Sequence, residues 1–163
     1  MKSLNKKFRK FFFTRFASLR ISSGALPTCN GFTWVNAATT FGKDTHVNGL
    51  RVYGHGGVAI GSHVHIGKGC EVLTQNHDYR SRTRLPYSDD YIVRPVTIAD
   101  FVWLGINVLI LPGTYIGEGA IVQAGSVVSG TVAPLSIVGG NPARPFAQRD
   151  EDEYRDARSK YAI

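Results

Sequence analysis

From Ile98 onward an aliphatic residue returns at every sixth position: Ile98, Leu104, Ile110, Ile116, Val122 and Val128. Four residues after each comes a small or β-branched one: Val102, Val108, Thr114, Ala120, Ser126 and Val132. Glycine follows the aliphatic residue directly at Gly105 and Gly117, and stands three places on at Gly113, Gly119 and Gly125. A beat of six fits neither the 3.6-residue turn of an amphipathic helix nor the two-residue pleat of a half-buried strand. It is a repeat, and repeats constrain a fold more tightly than local propensity does. Each hexapeptide can supply one short strand and one corner, so that three close a triangular coil of about 18 residues. The aliphatic residue fills the interior, and the second inward position stays small because the prism is narrow. Corners need backbone angles that glycine and asparagine tolerate. Stacked coils pair their strands in parallel, so backbone groups find partners between coils and not within them. The expected fold is therefore all-β: a parallel β-helix.

The same beat runs less cleanly upstream. Val35, Phe41, Val47 and Tyr53 keep it, it slips by one around Gly56-Gly57, and Ile60, Ile66 and Val72 resume it with Val64 and Cys70 inside. Residues 73–95 contain no hexapeptide and carry five charged residues within 78–89, which predicts a long excursion loop out of the prism. Excursions of that length from a tight repeat tend to carry function. Three parts result: a basic arm over 1–21, the β-helix over 22–146, and a charged tail over 147–163 that reads as a short solvated helix.

Charge separates these parts. The net charge of +7 lies wholly in residues 1–20, where Lys2, Lys6, Lys7, Arg9, Lys10, Arg15 and Arg20 meet no acid; the remainder balances 12 basic against 12 acidic residues. The body is thus no nucleic-acid surface by charge. The arm reads as an amphipathic helix with Leu4, Phe8, Phe11, Phe12, Phe16 and Leu19 on one face, Arg15 intruding on it and Phe13 off it. It fails as a signal peptide, since Arg15 breaks the apolar core and no small-residue cleavage site follows. Two readings remain: a cap on the open end of the β-helix, or a peripheral contact of residues 2–20 with an anionic membrane. Cys29 and Cys70 are too few for a disulfide framework, so a reduced, cytoplasmic setting is expected, at the inner membrane face if the arm binds lipid. No apolar run approaches the ~18 residues of a spanning helix.

Among the five histidines, His46, His63 and His65 fall on outward positions and His55 in the slip. His63-x-His65 lacks a third ligand at useful spacing, so no metal is expected. His77 stands at the mouth of the excursion, in Gln75-Asn76-His77-Asp78-Tyr79, where one ring nitrogen can meet a substrate while a neighbour fixes the other.

The ordered set Asn76-His77-Asp78, Val102-Trp103-Leu104-Gly105, Ile110-Leu111-Pro112-Gly113, Ala124-Gly125-Ser126-Val127-Val128 and Gly139-Gly140-Asn141-Pro142-Ala143-Arg144 resembles the hexapeptide-repeat acetyltransferases. The likeness is to the galactoside, maltose and capsular or lipopolysaccharide sugar O-acetyltransferases, across about residues 58–146. That resemblance implies a left-handed β-helix, a homotrimer with sites between subunits, and acetyl-CoA as donor. It implies transfer to a hydroxyl of a sugar or glycan in polysaccharide biosynthesis, with His77 as general base beside Asn76. It makes Trp103 a wall beside the acyl group and Gly105 or Ile106 the oxyanion donor, with CoA near Ala124, Gly125, Ser129 and Arg144. The chemistry agrees, because a sugar hydroxyl needs a proton acceptor, and imidazole titrates near ~6.5. The departures are Ser129-Gly130, where the family often has Thr-Lys, and the basic arm in place of its usual N-terminal helical segment.

Alternatives stay open at this point. One is an N-acetyltransferase for a nucleotide-linked amino sugar, to which Arg80, Arg82 and Arg84 would suit a phosphate. Another is a non-catalytic β-helix scaffold. A γ-class carbonic anhydrase would place its zinc histidines at Ile106 and Leu111, which are apolar.

Overall fold

The structure, a computed structural model, describes residues 2–19, 21 and 23–161, with the side chains of 2–4 and 6 left undescribed. The side chain of the expected apolar-face residue Leu4 and the whole of Arg20 therefore lie outside what the structure describes.

Three parallel sheets form the faces of a prism. The first holds Thr39–Phe41, Val58–Ile60, Val96–Ile98, Tyr115–Ile116 and Thr131–Val132. The second holds Thr28–Cys29, His46–Val47, His65–Ile66, Trp103–Leu104, Ile121–Val122 and Ser136–Gly140, with Ala143–Gln148 returning antiparallel at its end. The third holds Leu50–Tyr53, Cys70–Leu73, Leu109–Ile110 and Val127–Val128. The chain visits the faces in turn, so a hexapeptide advances it by one face and three hexapeptides by one coil. The expected β-helix is what forms.

Register makes the interior a set of columns. Phe41, Ile60, Ile98, Ile116 and Val132 stack inside the first face. Cys29, Val47, Ile66, Leu104, Val122 and Val138 stack inside the second, and Val52, Val72, Ile110 and Val128 inside the third. All are buried, and each large aliphatic chain removed from water contributes about 1.5–3 kcal/mol. The smaller inward slots hold Val64, Cys70, Val102, Val108, Thr114, Ala120 and Ser126, also buried. Thr114 and Ser126 bond carbonyls of their own corners, Leu111 at 2.7 Å and Gln123 at 2.6 Å, so neither hydroxyl is stranded.

Two positions of the beat differ from expectation. Val52, not Tyr53, points inward, because the corner after Val47 is one residue short; Tyr53 is exposed. The slip is therefore shared between that corner and the Gly54–Gly57 stretch. Val132 pairs level with Ile116 instead of filling the small slot, because the corner at Ser129-Gly130 is two residues short. Glycine makes that tight corner possible, Gly130 taking φ of 73°.

The arm is helix α1 (Lys2–Ser18), and it caps the prism. Ala17 is buried, Phe13 and Ile21 pack against the core, and the Thr14 hydroxyl accepts from the Cys29 amide at 3.0 Å. Phe16 lies against Phe32 and Trp34 at ring distances of 5.4 and 6.3 Å. Phe13, placed off the apolar face by the sequence reading, is thus inward, while Phe8, Phe11, Phe12 and Leu19 are exposed. A helix rotates its face to whatever surface is available, and the prism end offers room only for the Phe13–Ala17 side.

The tail forms the expected short helix with no buried residue, yet it is anchored to the prism. Helix α2 (Glu151–Arg158) is capped by the Asp150 carboxylate, which accepts from the Glu153 amide. It docks on the prism through Glu118, which accepts from the Tyr154 hydroxyl at 2.9 Å and from the Arg158 guanidinium at 2.6 Å. Burial, and then the Glu118 carboxylate, push the Tyr154 phenol well above its ordinary range.

Candidate active site

The corners leading from the second face to the third stack along one edge of the prism. Register places Gly67-Lys68 directly over Gly105-Ile106, and these over Gln123-Ala124. Gly105 is required there, since a Cβ on it would meet the Ala124 backbone nitrogen at 2.5 Å. Beside this edge runs a cleft of about 690 Å³ lined by Lys68, Trp103, Ile106, Gln123, Ala124 and Phe146 among others. The structure thus brings together Trp103, Gly105, Ile106 and Ala124, four residues singled out from the sequence. Trp103 and Ile106 are 54% and 55% exposed, so apolar surface faces the cleft instead of the core.

The two amides proposed as oxyanion donors differ. That of Gly105 is spent in the ladder, donating to the Val122 carbonyl at 2.8 Å. That of Ile106 has no acceptor among the described residues, so of the two it is the one left to meet a ligand. Gly125, at the same corner as Ala124, is open, with nothing near a built Cβ.

The remaining expected residues lie elsewhere. Ser129 falls at the next corner, between the third and first faces, because six residues advance the chain one face beyond Gln123. Arg144 is exposed on the return strand level with Gly139, at the end of the cleft edge but not among its walls, its guanidinium donating to the Ala143 carbonyl at 3.0 Å. Lys68, Gln123, Ile121, Ile137 and Phe146 line the cleft without having been singled out. Lys68 was legible in principle: it is the corner residue of Gly67-Lys68-Gly69, one coil before Ile106 once the excursion is removed. It supplies a cation where Ser129-Gly130 does not.

The excursion is a two-stranded antiparallel hairpin, Gln75–His77 against Tyr91–Val93, not an irregular loop. His77 pairs level with Tyr91, and its ring is stacked by Tyr87 at 3.9 Å and touched by Tyr91 at 4.6 Å. Its Nδ1 is buried with no hydrogen-bond partner. A buried polar nitrogen left so costs about 1–3 kcal/mol, so the isolated chain leaves this histidine unfinished. Asn76 is exposed and, being the adjacent strand residue, points to the opposite side from His77. Asp78 closes the turn by accepting from the Arg80 amide at 2.9 Å. Arg84 is engaged by Asp89 at 2.5 Å, and Arg80 leans over the Tyr79 ring at 5.7 Å.

The hairpin departs from the far end of the third-face strand that begins at the cleft corner. One strand length, about 13 Å for four residues, therefore separates the start of the hairpin from the cleft, and His77 is not among the cleft walls.

Among the described residues no group of three or more His, Cys, Asp or Glu is arranged to hold a metal ion. His46 and His63 instead flank Asp44, at 3.2 and 3.1 Å. Their hydrogen bonds, that of His46 first, hold the Asp44 carboxyl below its ordinary range. His65 stacks on His46 at 4.8 Å, and burial followed by the neighbouring His46 charge lowers its imidazole. Burial pushes both free thiols, Cys29 and Cys70, up.

The fold and site together are a β-helix of parallel coils with an apolar corner cleft and a histidine-bearing hairpin. Residues 95–130 match the family model described as bacterial transferase hexapeptide, six repeats. A hexapeptide-repeat-containing acetyltransferase of Vibrio cholerae, in the structure complexed with acetyl coenzyme A, is 31% identical with a TM-score of 0.66, over 78% of this chain and 69% of that one. Another structure of it gives 29% identity and a TM-score of 0.70 over 90% of each chain. A putative acetyltransferase of Schizosaccharomyces pombe is 33% identical over 58% of this chain and 45% of its own length. A probable macrolide acetyltransferase of Lysinibacillus sphaericus is 44% identical over 43% of this chain and 36% of its own. The match thus spans half or less of these two curated relatives. The chain belongs to the hexapeptide-repeat acetyltransferase family.

Proposed function

We propose that the protein transfers an acetyl group from acetyl-CoA to a hydroxyl of a sugar or envelope glycan, with His77 as general base. The observation that carries this reading is the cleft. It is an apolar slot with a lysine at one corner and, near Trp103, the Ile106 amide, which has no acceptor among the described residues. A pantetheine arm suits the slot, a phosphate suits Lys68, and a thioester carbonyl suits the Ile106 amide. The acetyl-CoA bound by the Vibrio cholerae relative supports the donor.

The chemistry follows from these groups. As the acceptor oxygen attacks the thioester carbon, its proton passes to the His77 imidazole. The carbonyl electron pair moves onto oxygen, and the Ile106 amide stabilises the oxyanion. Collapse breaks the C–S bond, and the imidazole proton goes to the CoA sulfur. The products are an acetyl ester and free CoA.

In this reading the site is shared between copies. The hairpin of one chain leaves the prism away from its own cleft, so the His77 of a neighbour serves it, and a homotrimer closes the arrangement. A contact from that neighbour also supplies the missing partner of Nδ1. The N-acetyl alternative draws less support, because of the three loop arginines suited to a phosphorylated acceptor Arg84 is occupied by Asp89.

The test is CoA thiol release from acetyl-CoA against sugars, amino sugars, nucleotide-linked amino sugars, a macrolide and chloramphenicol, with the product identified by mass spectrometry. An acetyl ester on a sugar is the expected product. An amide product alone would establish N-acetylation, an ester confined to the antibiotics would replace the sugar acceptor, and no release with any acceptor would leave the scaffold reading.

A further inference from the structure

Helix α1 seals the prism with one side and leaves the other side bare. The sealing residues are Phe13, Thr14, Phe16 and Ala17. On the outer side Phe8, Phe11, Phe12 and Leu19 are 68, 71, 55 and 73% exposed, and Leu26 beside the helix is 59% exposed. Single exposed apolar residues are ordinary, but five together on one end of a small protein mark a contact surface.

The charges around them say what kind of contact. Lys7, Lys10 and Arg15 line a cleft of about 420 Å³ whose apolar wall is Phe11, Leu26 and Pro27. The first acidic residue of the whole sequence is Asp44, so nothing in the first 43 residues neutralises the arm. The helix has no acid in its first turn, and its lysines gather at the end where the helix dipole is already positive. That arrangement is unfavourable alone and becomes favourable against a negative surface. A second copy placed on this face would oppose cation to cation. A nucleic acid would satisfy the cations but give the phenylalanines no hydrocarbon to enter.

We propose that this face docks the protein on an anionic phospholipid bilayer. The helix lies in the interfacial plane with Phe8, Phe11, Phe12 and Leu19 entering the acyl region, while Lys7, Lys10 and Arg15 meet lipid phosphates. Docking leaves the cap intact, because the sealing residues belong to the other side of the helix. It holds the prism at the membrane surface, and it does not depend on the acetyl-transfer reading.

The full chain is sedimented with vesicles of phosphatidylcholine alone and of phosphatidylcholine with phosphatidylglycerol. Binding is expected only to the second, weakening as salt rises. The triple variant Phe8→Ser/Phe11→Ser/Phe12→Ser should lose binding at every salt concentration. Lys7→Gln/Lys10→Gln/Arg15→Gln should weaken it by roughly 100-fold, about fivefold per cation. Both variants should keep the wild-type sedimentation coefficient and nearly the wild-type melting temperature without vesicles, since the altered side chains are exposed and only Phe12 touches the seal, at the edge of Phe13. Equal binding to both vesicle types, or to neither, overturns the proposal. So does a phenylalanine variant that dissociates into smaller species, which would show the face to be covered by another copy. CoA release in solution is measured on the same samples, so loss of docking and loss of turnover are read separately.

Discussion

The stack between Ile98 and Val128 and the hairpin between Gln75 and Val93 obey opposite rules. In the stack each coil completes its neighbour. Backbone amides donate across coils at 2.8–3.0 Å, as Gly105 does to Val122 and Leu111 to Val128, and the columns are buried. Among the described residues the Ile106 amide, at a corner that lines the cleft, has no acceptor. In the hairpin the leftovers are the point: a histidine with an orphaned nitrogen, two exposed tyrosines against its ring, and Leu85 at 85% exposure. In the proposed reaction the stack supplies stability and a place for the donor, and the hairpin supplies the base.

The largest expected effect breaks the hairpin alone. His77→Ala should lower kcat by roughly 10²–10⁴-fold, the usual contribution of a positioned general base, with the KM for acetyl-CoA and the melting temperature little changed. A fully active variant in the thiol-release assay would falsify the proposed mechanism.

The next separates the regions by stability. Ile110→Ala should cost about 2–5 kcal/mol in urea unfolding, since it opens a cavity in a fully buried column. Leu85→Ala, in the hairpin, should stay within about 0.5 kcal/mol. Comparable losses at both sites would mean that the hairpin is structural and not an appendage of a self-sufficient prism.

A third sharpens the division within the donor edge. Lys68→Ala should raise the KM for acetyl-CoA by roughly 10–150-fold with kcat nearly unchanged, the loss expected on removing a charge-assisted contact remote from the chemistry. Arg144→Ala should act in the same direction and more weakly, because Arg144 is not among the cleft walls. The reverse order would assign the phosphate contact to the return strand.

The smallest effect probes a corner outside the proposed site. Asp44 is held below its ordinary range by its histidine neighbours. Its contribution to stability is therefore complete above the ordinary aspartate pKa of about 3.9 and is lost as pH falls through the lower folded value. Melting curves of wild type and Asp44→Asn should differ near pH 5–6 and converge in stronger acid. The gap should stay within about 2 °C, because exposed pairs contribute little. A gap that widens towards acid would have the wrong sign.

Much of the architecture is present in the sequence as arithmetic. A period of six names its inward residues locally, so the columns from Ile98 to Val128 and the small slots beside them are legible without coordinates. So are the interruption after Val72 and the placement of Trp103, Gly105, Ile106 and Ala124 along one edge. What periodicity cannot supply is the length of each corner. The short corners after Val47 and Val128 exchange Tyr53 for Val52 and move Val132 into another column, and a corner length is set by whether the closed coil can still pair with its neighbours. The same holds for Lys68, which reaches the cleft only because Val96 rejoins the prism in register with Val58 after the hairpin. The outward turn of Phe8, Phe11 and Phe12 was also decided in three dimensions. Helical spacing groups apolar residues into a face, but only the shape of the prism end determines which side of the helix is buried against it.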